Sequence, residues 1–551
     1  MAQRDWESKV KAKRARLEQS IPEAWRFSDL DRQIHARSRT VVSVPRQYLT
    51  GDEITITESP PTLILENIRC RVWTSCQVVD AFCHRAAISH QLSHCLTEIL
   101  FNEAMATARE LDLFQSTTGY IKGPLHGLPI SFMDRFRVAG AETATGFVAW
   151  LGNVETADSE SLIVKQMRLL GAVPFCKTTV PQSLLLGETA NNITGSTTNP
   201  FVRHLSSGGA AGGEGTLLAL RGSCVGWGTE IAGSTRIPAA YSMTYALRPC
   251  AGRTTSKGVA GVSPATPVCA AVTAPMSNDL DMLKLICKTT MSIPPSLEDP
   301  GVLNLPWREA EYLRYLPSAG YMPKFGIMYD DSHVRPHPPI QRALSTLHSA
   351  LTLAGFEVTP WSPPAHQPAV QTLFRILGAD GLAGVRTTLD ASGEPPVSQL
   401  RAWYAATNTG TMPVADFWNL CSKRAKYRTQ YNDYWNSQNV DAVILPVAPT
   451  ASAEPDKATY FGYTAIANFL DVTAGCFPVL LADSELDMLG PAEPPYSDED
   501  RRIRDMYDRT LFHGAPVALQ VMCRGLEEEK CLALMAVVKN ALDAQGNLLL
   551  S

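Results

Sequence analysis

Residues 158–177, DSESLIVKQMRLLGAVPFCK, predict a helix followed directly by a buried strand. Asp158 or Ser159 can cap the start of the helix, and Gly171 marks its end. The run at 172–177 has the length and apolar character of a buried strand. The apolar stripe of the helix consists of Ile163, Met167 and Leu170. A helix and a strand joined through one glycine are typical of α/β enzymes, whose sheets are covered by helices.

Similar segments occur on both sides of this stretch. Apolar runs at residues 95–101 and 441–446 predict strands, and amphipathic patterns at 6–20, 63–90, 102–113 and 527–542 predict helices. Because such signals run almost from end to end, we expect one large α/β domain at residues 60–551 rather than several small ones. Residues 1–59, which begin with a basic helical pattern, are expected to form an N-terminal helical arm.

The composition of the 551 residues disfavours several classes of protein. Hydrophobic residues make up 45% and charged residues 19%, which is ordinary for a globular chain and argues against wholesale disorder. Lys and Arg total 49 against 54 Asp and Glu, so a nucleic-acid-binding surface is not expected. No run of about eighteen uncharged apolar residues occurs, so no membrane span is expected.

The cysteines and the chain ends indicate a cytoplasmic protein. The 13 cysteines are scattered without a CxxC pair, which is typical of reduced thiols. The first 20 residues are charged rather than hydrophobic, and the ending GNLLLS matches no peroxisomal or lipidation signal. With no HExxH motif and no clustered histidines among the 11 present, we expect neither a metal nor another cofactor.

Two glycine-rich segments stand out at residues 206–215, SSGGAAGGEG, and 226–238, GWGTEIAGSTRIP. Glycine at this density lets backbone N–H groups converge on a ligand oxygen. A nucleotide site is disfavoured, because GxxxxGK[ST] is absent and no GxGxxG stands at a strand-to-helix turn. A tight loop without chemistry is the alternative for one isolated segment. Two segments separated by a short apolar helix at 216–220 favour a ligand site.

Four motifs in this order resemble the amidase signature family, most closely its acetamidase-like branch in fungi. They are GPLHGLPIS (123–131), GAVPFCKTTVPQ (171–182), SSGGAAGGEG (206–215) and GTEIAGSTRIPAA (228–240). The resemblance extends to residues 81–104, 439–450 and 513–530. It implies a single large domain with a mixed, twisted β-sheet flanked by helices on both faces. It also implies a small-molecule substrate, and it allows a homodimer.

Enzymes of this family hydrolyse amides, and sometimes esters, through a Ser–cis-Ser–Lys relay. A buried lysine with a lowered pKa takes a proton, through the bridging serine, from the nucleophilic serine. Backbone N–H groups of a glycine turn hold the developing oxyanion. The resemblance places the nucleophile at Ser234, and it places the oxyanion turn and adjoining substrate-binding positions at Gly208, Gly209, Glu230, Ile231, Ala232, Gly233 and Arg236. Ala232 stands where the family usually has glycine, and Glu230 where it usually has aspartate.

Two of the three relay groups are missing from this chain. Met133 in SFMD (131–134) occupies the lysine position, and Ala210 occupies the position of the bridging serine. A thioether is no useful proton acceptor and alanine has no hydroxyl. Because a serine without a base is a poor nucleophile near neutral pH, efficient hydrolysis by the usual relay is not expected.

A replacement base would have to come from elsewhere in the chain. The charged residues near the motifs are Lys122, Asp134, Lys177, Glu188 and Glu230, and the sequence does not bring any of them to Ser234. His126, in the turn PLHGLP, is expected to fix and pack that turn rather than to take part in catalysis.

Three hypotheses follow. The first is an enzyme of secondary-metabolite type that uses the amidase pocket for cyclisation, rearrangement, condensation or acyl transfer. The second is an amide or ester hydrolase in which an unconventional base activates Ser234. The third is a non-catalytic pseudoamidase that binds a ligand or a partner protein. We favour the first of these.

Overall fold

The structure, a computed structural model, describes residues 5–262, 268–407, 410–491 and 493–546. Within these ranges the core is one sheet of eleven strands, and two further short strands, β4 and β5, pair with each other. The strands are β1 (Leu96–Ile99), β2 (Pro129–Met133), β3 (Val173–Thr178), β4 (Ala190–Asn191), β5 (Gly195–Ser196), β6 (Val225–Glu230), β7 (Tyr245–Arg248), β8 (Val272–Ser277), β9 (Phe325–Ile327), β10 (Val358–Pro360), β11 (Ala442–Pro446), β12 (Ala474–Leu481) and β13 (Pro516–Met522).

Twenty α-helices are present in the same described ranges. They are α1 (Asp5–Gln19), α2 (Asp29–Ala36), α3 (Gly51–Glu58), α4 (Pro61–Arg69), α5 (Ser75–Ser93), α6 (Phe101–Thr118), α7 (Leu162–Leu169), α8 (Gly212–Ala219), α9 (Arg236–Tyr241), α10 (Leu280–Ser292), α11 (Glu309–Arg314), α12 (Pro338–Leu353), α13 (His366–Leu377), α14 (Ala383–Ser392), α15 (Ser398–Thr407), α16 (Val414–Gln438), α17 (Gly462–Leu470), α18 (Asp498–Asp505), α19 (Arg509–Phe512) and α20 (Glu528–Asp543).

The sheet is mixed, as expected, with the strand order β1-β3-β2-β6-β8-β7-β12-β13-β11-β9-β10. β2 pairs in parallel with β3 and β6, and β9 pairs in parallel with β10 and β11, while the other neighbours are antiparallel. Every residue of β2, β3, β6 and β13 is buried. Strands buried along their whole length need cover on both faces, which the packed helices supply. The predicted fold class, a single large α/β domain with helices flanking a mixed sheet, is confirmed.

The parallel pairing of β2 and β6 matters most for function. Phe132 lies opposite Trp227 in this pair, and both side chains are buried in the core. Because the strands are parallel, their carboxyl ends meet at the same edge of the sheet. Met133 and Glu230, the last residues of the two strands, therefore end at this common edge.

The helix and strand predicted at residues 158–177 are confirmed as α7 and β3. The predicted cap at Asp158 or Ser159 is wrong, because the residue that precedes the helix is Ser161. Ser159 instead closes a local turn, in which its hydroxyl accepts a hydrogen bond from the backbone N–H of Thr156 at 2.9 Å. Gly171 follows the helix with φ of 92°, a conformation that favours glycine.

The helix predicted at residues 63–90 is interrupted in the structure. α4 ends at Arg69 and α5 begins at Ser75, so residues 70–74 are not helical. Thr74 and Gln77 form a capping box in which each side chain accepts a hydrogen bond from the other residue's backbone N–H. This reciprocal cap starts a new helix, and the apolar periodicity alone did not reveal it.

The helix predicted at residues 6–20 is confirmed as α1, which packs closely against the rest of the chain. Val10 and Leu17 are buried, and Lys13 forms ion pairs with Glu98 of β1 and with Glu142. The division of the chain into an arm and a domain at residue 60 stays a prediction. None of the described helices is long and apolar enough to cross a membrane.

Candidate active site

A cavity of about 720 Å³ opens beside the carboxyl ends of β2 and β6. Both glycine-rich segments and the segment that follows β2 contribute to its wall. Among its lining residues are Arg135, Ala210, Thr229, Glu230, Ile231 and Ser234. The fold therefore gathers the motifs found in the sequence around one pocket at one edge of the sheet.

Ser234 lies in a tight turn between β6 and α9. Gly233 has φ of 114°, and a β-carbon at this position would stand 2.4 Å from Oγ1 of Thr464. Only glycine fits there. Ala232 has no positive φ, and its carbonyl oxygen accepts a hydrogen bond from Oγ1 of Thr464 at 2.7 Å. The turn therefore tolerates a side chain at position 232, which explains how alanine can replace the family's usual glycine.

Gly233→Ala is expected to lower the free energy of unfolding by about 1–3 kcal/mol, because the new methyl group meets Thr464 and the backbone is held in a left-handed conformation. The matched variant Ala232→Gly, one residue earlier in the turn, should cost about 1 kcal/mol or less. Urea unfolding followed by circular dichroism measures both. Equal losses in the two variants would contradict this account of the turn.

The turn beside the cavity contains hydrogen-bond donors that have no partner in the described structure. The backbone N–H groups of Ile231, Ala232, Gly233 and Ser234 donate to no acceptor among the residues that the structure describes. The Ser234 side chain lines the cavity and is partly exposed, and its hydroxyl likewise has no partner in the described part of the chain. Free N–H groups around a serine are what an oxyanion site requires, and the role of this turn as that site stays a prediction.

Glu230 is a buried structural ion rather than a base. Arg236 donates to Oε1 of Glu230 from Nε at 2.8 Å, and it contacts Thr464 and Asn468 as well. Burial by itself would raise the pKa of Glu230, but the Arg236 guanidinium and hydrogen bonds from Arg236 and Thr235 outweigh it and hold the pKa below its ordinary value. This carboxylate therefore stays ionised and occupied by its partners.

The two positions predicted to hold the relay base and the proton bridge carry no group that can move a proton. Met133 is fully buried at the end of β2, and its sulfur accepts a weak hydrogen bond from Oγ1 of Thr229 at 3.7 Å. Ala210 lines the cavity and offers it only a methyl group. The two replacements therefore leave apolar atoms at the positions where the family places its base and its proton bridge.

The two glycine-rich segments are fastened to each other by backbone contacts. The N–H of Ala211 donates to the carbonyl oxygen of Ser234 at 2.9 Å. A β-carbon at Gly209 would stand 2.6 Å from Cδ of Pro238, and one at Gly208 would stand 2.5 Å from the Tyr241 ring. Gly208 and Gly209 therefore allow the first segment to pack against α9. The contacts of Gly208 and Gly209 in the structure are thus packing contacts with Tyr241 and Pro238.

Lys177 is unsuited to replace the missing base. Its ammonium group is fully buried, forms an ion pair with Oδ1 of Asp134 at 2.9 Å, and donates hydrogen bonds to the carbonyl oxygen of Glu142 at 2.6 Å and to Oγ1 of Thr143 at 2.9 Å. These contacts hold the ammonium group beside Asp134, Glu142 and Thr143. Burial lowers the pKa of Lys177 and raises that of Asp134. Neither residue lines the cavity.

The other candidates for a base are also directed elsewhere. Glu188 accepts hydrogen bonds from the backbone N–H of Asp456, and burial raises its pKa to about 7. Nδ1 of His126 accepts from the backbone N–H of Lys122 at 3.0 Å, as expected of a residue that fixes its turn. Glu188, His126 and Lys122 are not among the residues that line the cavity.

Two charged residues near the site were missed by the sequence analysis. Arg135 lines the cavity two positions after Met133. Glu214 is fully buried beneath β6, and it accepts hydrogen bonds from Ser131 at 2.6 Å and from Thr178 at 2.9 Å, while burial raises its pKa to about 8. Arg135 could have been noticed as a charge next to the lost lysine position. Nothing in the sequence indicated that Glu214 would be buried. Among the described residues no cluster of three or more His, Cys, Asp or Glu is arranged to hold a metal ion.

Comparison with known proteins shows which family and fold this chain resembles. Residues 77–532 match the family model described as Amidase. An acetamidase of Aspergillus oryzae is 37% identical over 550 residues, which covers 98% of this chain and 99% of the relative. An acetamidase of Emericella nidulans is 35% identical over 540 residues, covering 96% and 97%. A solved structure of a fatty acid amide hydrolase superposes with a TM-score of 0.93 at 30% identity, covering 98% of this chain and 96% of that one.

Proposed function

The chain belongs to the amidase family of enzymes, and from this membership we propose that it uses the cavity around Ser234 for small-molecule chemistry other than relay-driven hydrolysis. Cyclisation, rearrangement, condensation or acyl transfer in a secondary-metabolite pathway are the reactions that fit. The observation that carries the proposal is the combination of an intact turn at Ser234 with Met133 and Ala210 at the two remaining relay positions.

Such reactions need orientation and polarisation more than an activated nucleophile. A pocket that holds a reactive intermediate in one geometry removes much of the entropic barrier to an intramolecular step. The free N–H groups of residues 231–234 can polarise a carbonyl oxygen without any proton transfer to the protein. The site therefore keeps the parts of the family's machinery that do not depend on a base.

A hydrolase with Ser234 as nucleophile and an unconventional base is the second candidate. The position of Ser234 in the turn and the acetamidase relatives favour it. The contacts of Asp134, Lys177, Glu188, Glu230 and His126 oppose it, because these groups have other partners, and the exposed Lys122 does not line the cavity. A non-catalytic pseudoamidase, a homodimer and a cytoplasmic location stay predictions.

A fluorophosphonate probe distinguishes the two candidates. We expect no covalent adduct in the intact mass of the protein, even at high probe concentration, because the Ser234 hydroxyl has no base to activate it. A reference serine hydrolase in the same tube confirms that the probe is reactive. An adduct that disappears in Ser234→Ala but persists in Ser256→Ala, a second serine on the cavity wall, would establish the hydrolase instead.

Metabolite profiles of cells with and without this chain test the remaining part of the proposal. A compound that accumulates only when the chain is present, and is not the acid from a simple amide, supports a non-hydrolytic enzyme. Unchanged profiles together with absent labelling would favour the pseudoamidase.

A further inference from the structure

We propose that the cavity binds a ligand that carries a carboxylate, and that Arg135 is the residue that receives it. The inference rests on the proposed function, because it takes the cavity around Ser234 as the ligand site. It specifies a substrate class that the loss of the relay leaves open.

Arg135 is held in place at the cavity wall with part of its guanidinium unused. Its Nε donates to the carbonyl oxygen of Ala260 at 2.8 Å, and its Nη1 donates to Oγ1 of Thr229 at 3.0 Å. Its Nη2 has no hydrogen-bond partner among the described residues. The two anchors fix the plane of the group, so that an incoming oxygen meets donors already in position.

Arg135 is partly buried and has no counter-ion among the described residues, whereas the fully buried arginines are all paired. Arg236 pairs with Glu230, Arg248 with Asp471, and Arg253 with Glu528 and Glu529. No carboxylate of a described residue lies within ion-pair distance of Arg135, which is itself mostly withdrawn from solvent. An unpaired charge in such a position costs free energy, which an anionic ligand would offset.

The acidic groups on the cavity wall do not supply the missing partner. Glu230 is neutralised by Arg236, and Asp299 accepts hydrogen bonds from Thr255 at 2.6 Å and from the N–H of Gly301 at 2.9 Å. A second cation on the wall, Lys257, is directed to the carbonyl oxygen of Glu298 at 2.6 Å. With Glu230 paired to Arg236, the formal charges left on the wall are those of Arg135, Lys257 and Asp299, whose sum is positive, and Arg135 is the cation with an unused donor.

Thr229 links this cation to the vacated lysine position. Its hydroxyl accepts from Arg135 and donates to the sulfur of Met133. A positive charge thus stands close to the place where the family has its lysine. Burial lowers the pKa of Arg135 to about 10, so the group remains charged near neutral pH and does not act as a base. The N–H groups of Nη2, which have no acceptor in the described structure, can donate to the oxygens of a carboxylate.

Paired ligands that differ only in charge test the proposal. Phenylacetate, 4-phenylbutanoate and hexanoate are each titrated calorimetrically against the wild-type protein, beside the corresponding primary amides. We expect the carboxylate of a pair to bind about tenfold tighter or more, as charge-assisted hydrogen bonds to a desolvated guanidinium allow. Equal or tighter binding of the amides, or no binding by any of the six compounds, overturns the proposal.

Variants assign the preference to Arg135. Arg135→Gln should reduce carboxylate affinity about tenfold or more and leave amide affinity unchanged, whereas Arg135→Lys should retain part of the preference. Lys257→Gln is the matched control on the same wall, and it should change either affinity less than twofold. Circular dichroism checks that each variant is folded. If Arg135→Gln is unfolded, the ligand preferences of Arg135→Lys and of the wild-type protein still test the proposal.

Two results contradict the assignment. They are a carboxylate preference that survives in folded Arg135→Gln, and a phosphate monoester, phenyl phosphate, that binds tighter than the carboxylates. The calorimetric titrations measure ligand binding only. A negative result there would contradict the role of Arg135, whereas labelling of Ser234 by the probe would contradict the proposed function.

Discussion

Met133→Lys combined with Ala210→Ser is expected to raise amide hydrolysis by this chain on the order of 10³-fold or more, which is a part of the roughly 10⁶-fold that removal of a serine-hydrolase relay costs. Each single variant should stay near the wild-type level. A lysine without the bridging serine has no path to Ser234, and a bridging serine without the lysine has no acceptor for its proton. The members of such a relay act as a unit, so the gain appears only in the pair.

The surroundings of Met133 favour a functional lysine. The position is fully buried, so desolvation would lower the pKa of a lysine there toward the range of a useful base. Arg135, linked to Met133 through Thr229, would lower it further because two neighbouring cations disfavour each other. The turn at Ser234 needs no change, since its N–H groups already face no competing acceptor in the described structure.

Initial rates on a panel of amides measure the effect. The panel includes amides that also carry a free carboxylate group, which Arg135 could bind. The triple variant Met133→Lys, Ala210→Ser, Ser234→Ala is the control and should return to the wild-type rate. If the double variant folds normally and stays inert across the panel, then Glu230 or Ala232 has disabled the site by itself.

Arg236→Met is expected to destabilise the protein by about 3–5 kcal/mol, because it leaves Glu230 as an uncompensated charge in a fully buried position. The same guanidinium also bonds to Gln520, Thr464 and Asn468, which would lose a donor. The midpoint of urea unfolding, followed by circular dichroism, gives the loss.

The combination Arg236→Met with Glu230→Gln should cost clearly less than Arg236→Met alone, because the isolated charge is gone. Arg248→Met serves as a comparison, since its partner Asp471 keeps access to solvent and should tolerate the loss better. A double variant less stable than Arg236→Met would show that hydrogen bonding, rather than the unpaired charge, dominates.

Much of the fold and the composition of the site could be predicted from the sequence. The helix and strand at residues 158–177 were predictable because a stripe of apolar residues and one glycine are local signals. The comparisons confirm the family resemblance, from which the roles of Ser234, Met133 and Ala210 were predicted because motifs keep their order along the chain. The start of α7 and the break before α5 were not predictable, since they depend on local turns and caps.

The partners of the charged side chains could be identified only from the three-dimensional structure. Lys177 on β3 forms an ion pair with Asp134, the residue after β2, and this pairing disfavours both as candidates for a base. The sequence shows only that each residue stands near a motif. Likewise, Arg135 keeps an unused donor because no carboxylate of a described residue lies within ion-pair distance. The order of residues along the chain does not show which side chains are neighbours in three dimensions.

The bond from the Ala211 N–H to the Ser234 carbonyl oxygen has one further consequence. It joins backbone to backbone, so it does not depend on whether the neighbouring side chain is serine or alanine. A superposition with a TM-score of 0.93 is therefore compatible with a complete relay and with a dismantled one. The main chain of this protein therefore shows its relation to the family. Its reactivity depends on a few side-chain atoms, which a comparison of folds does not measure.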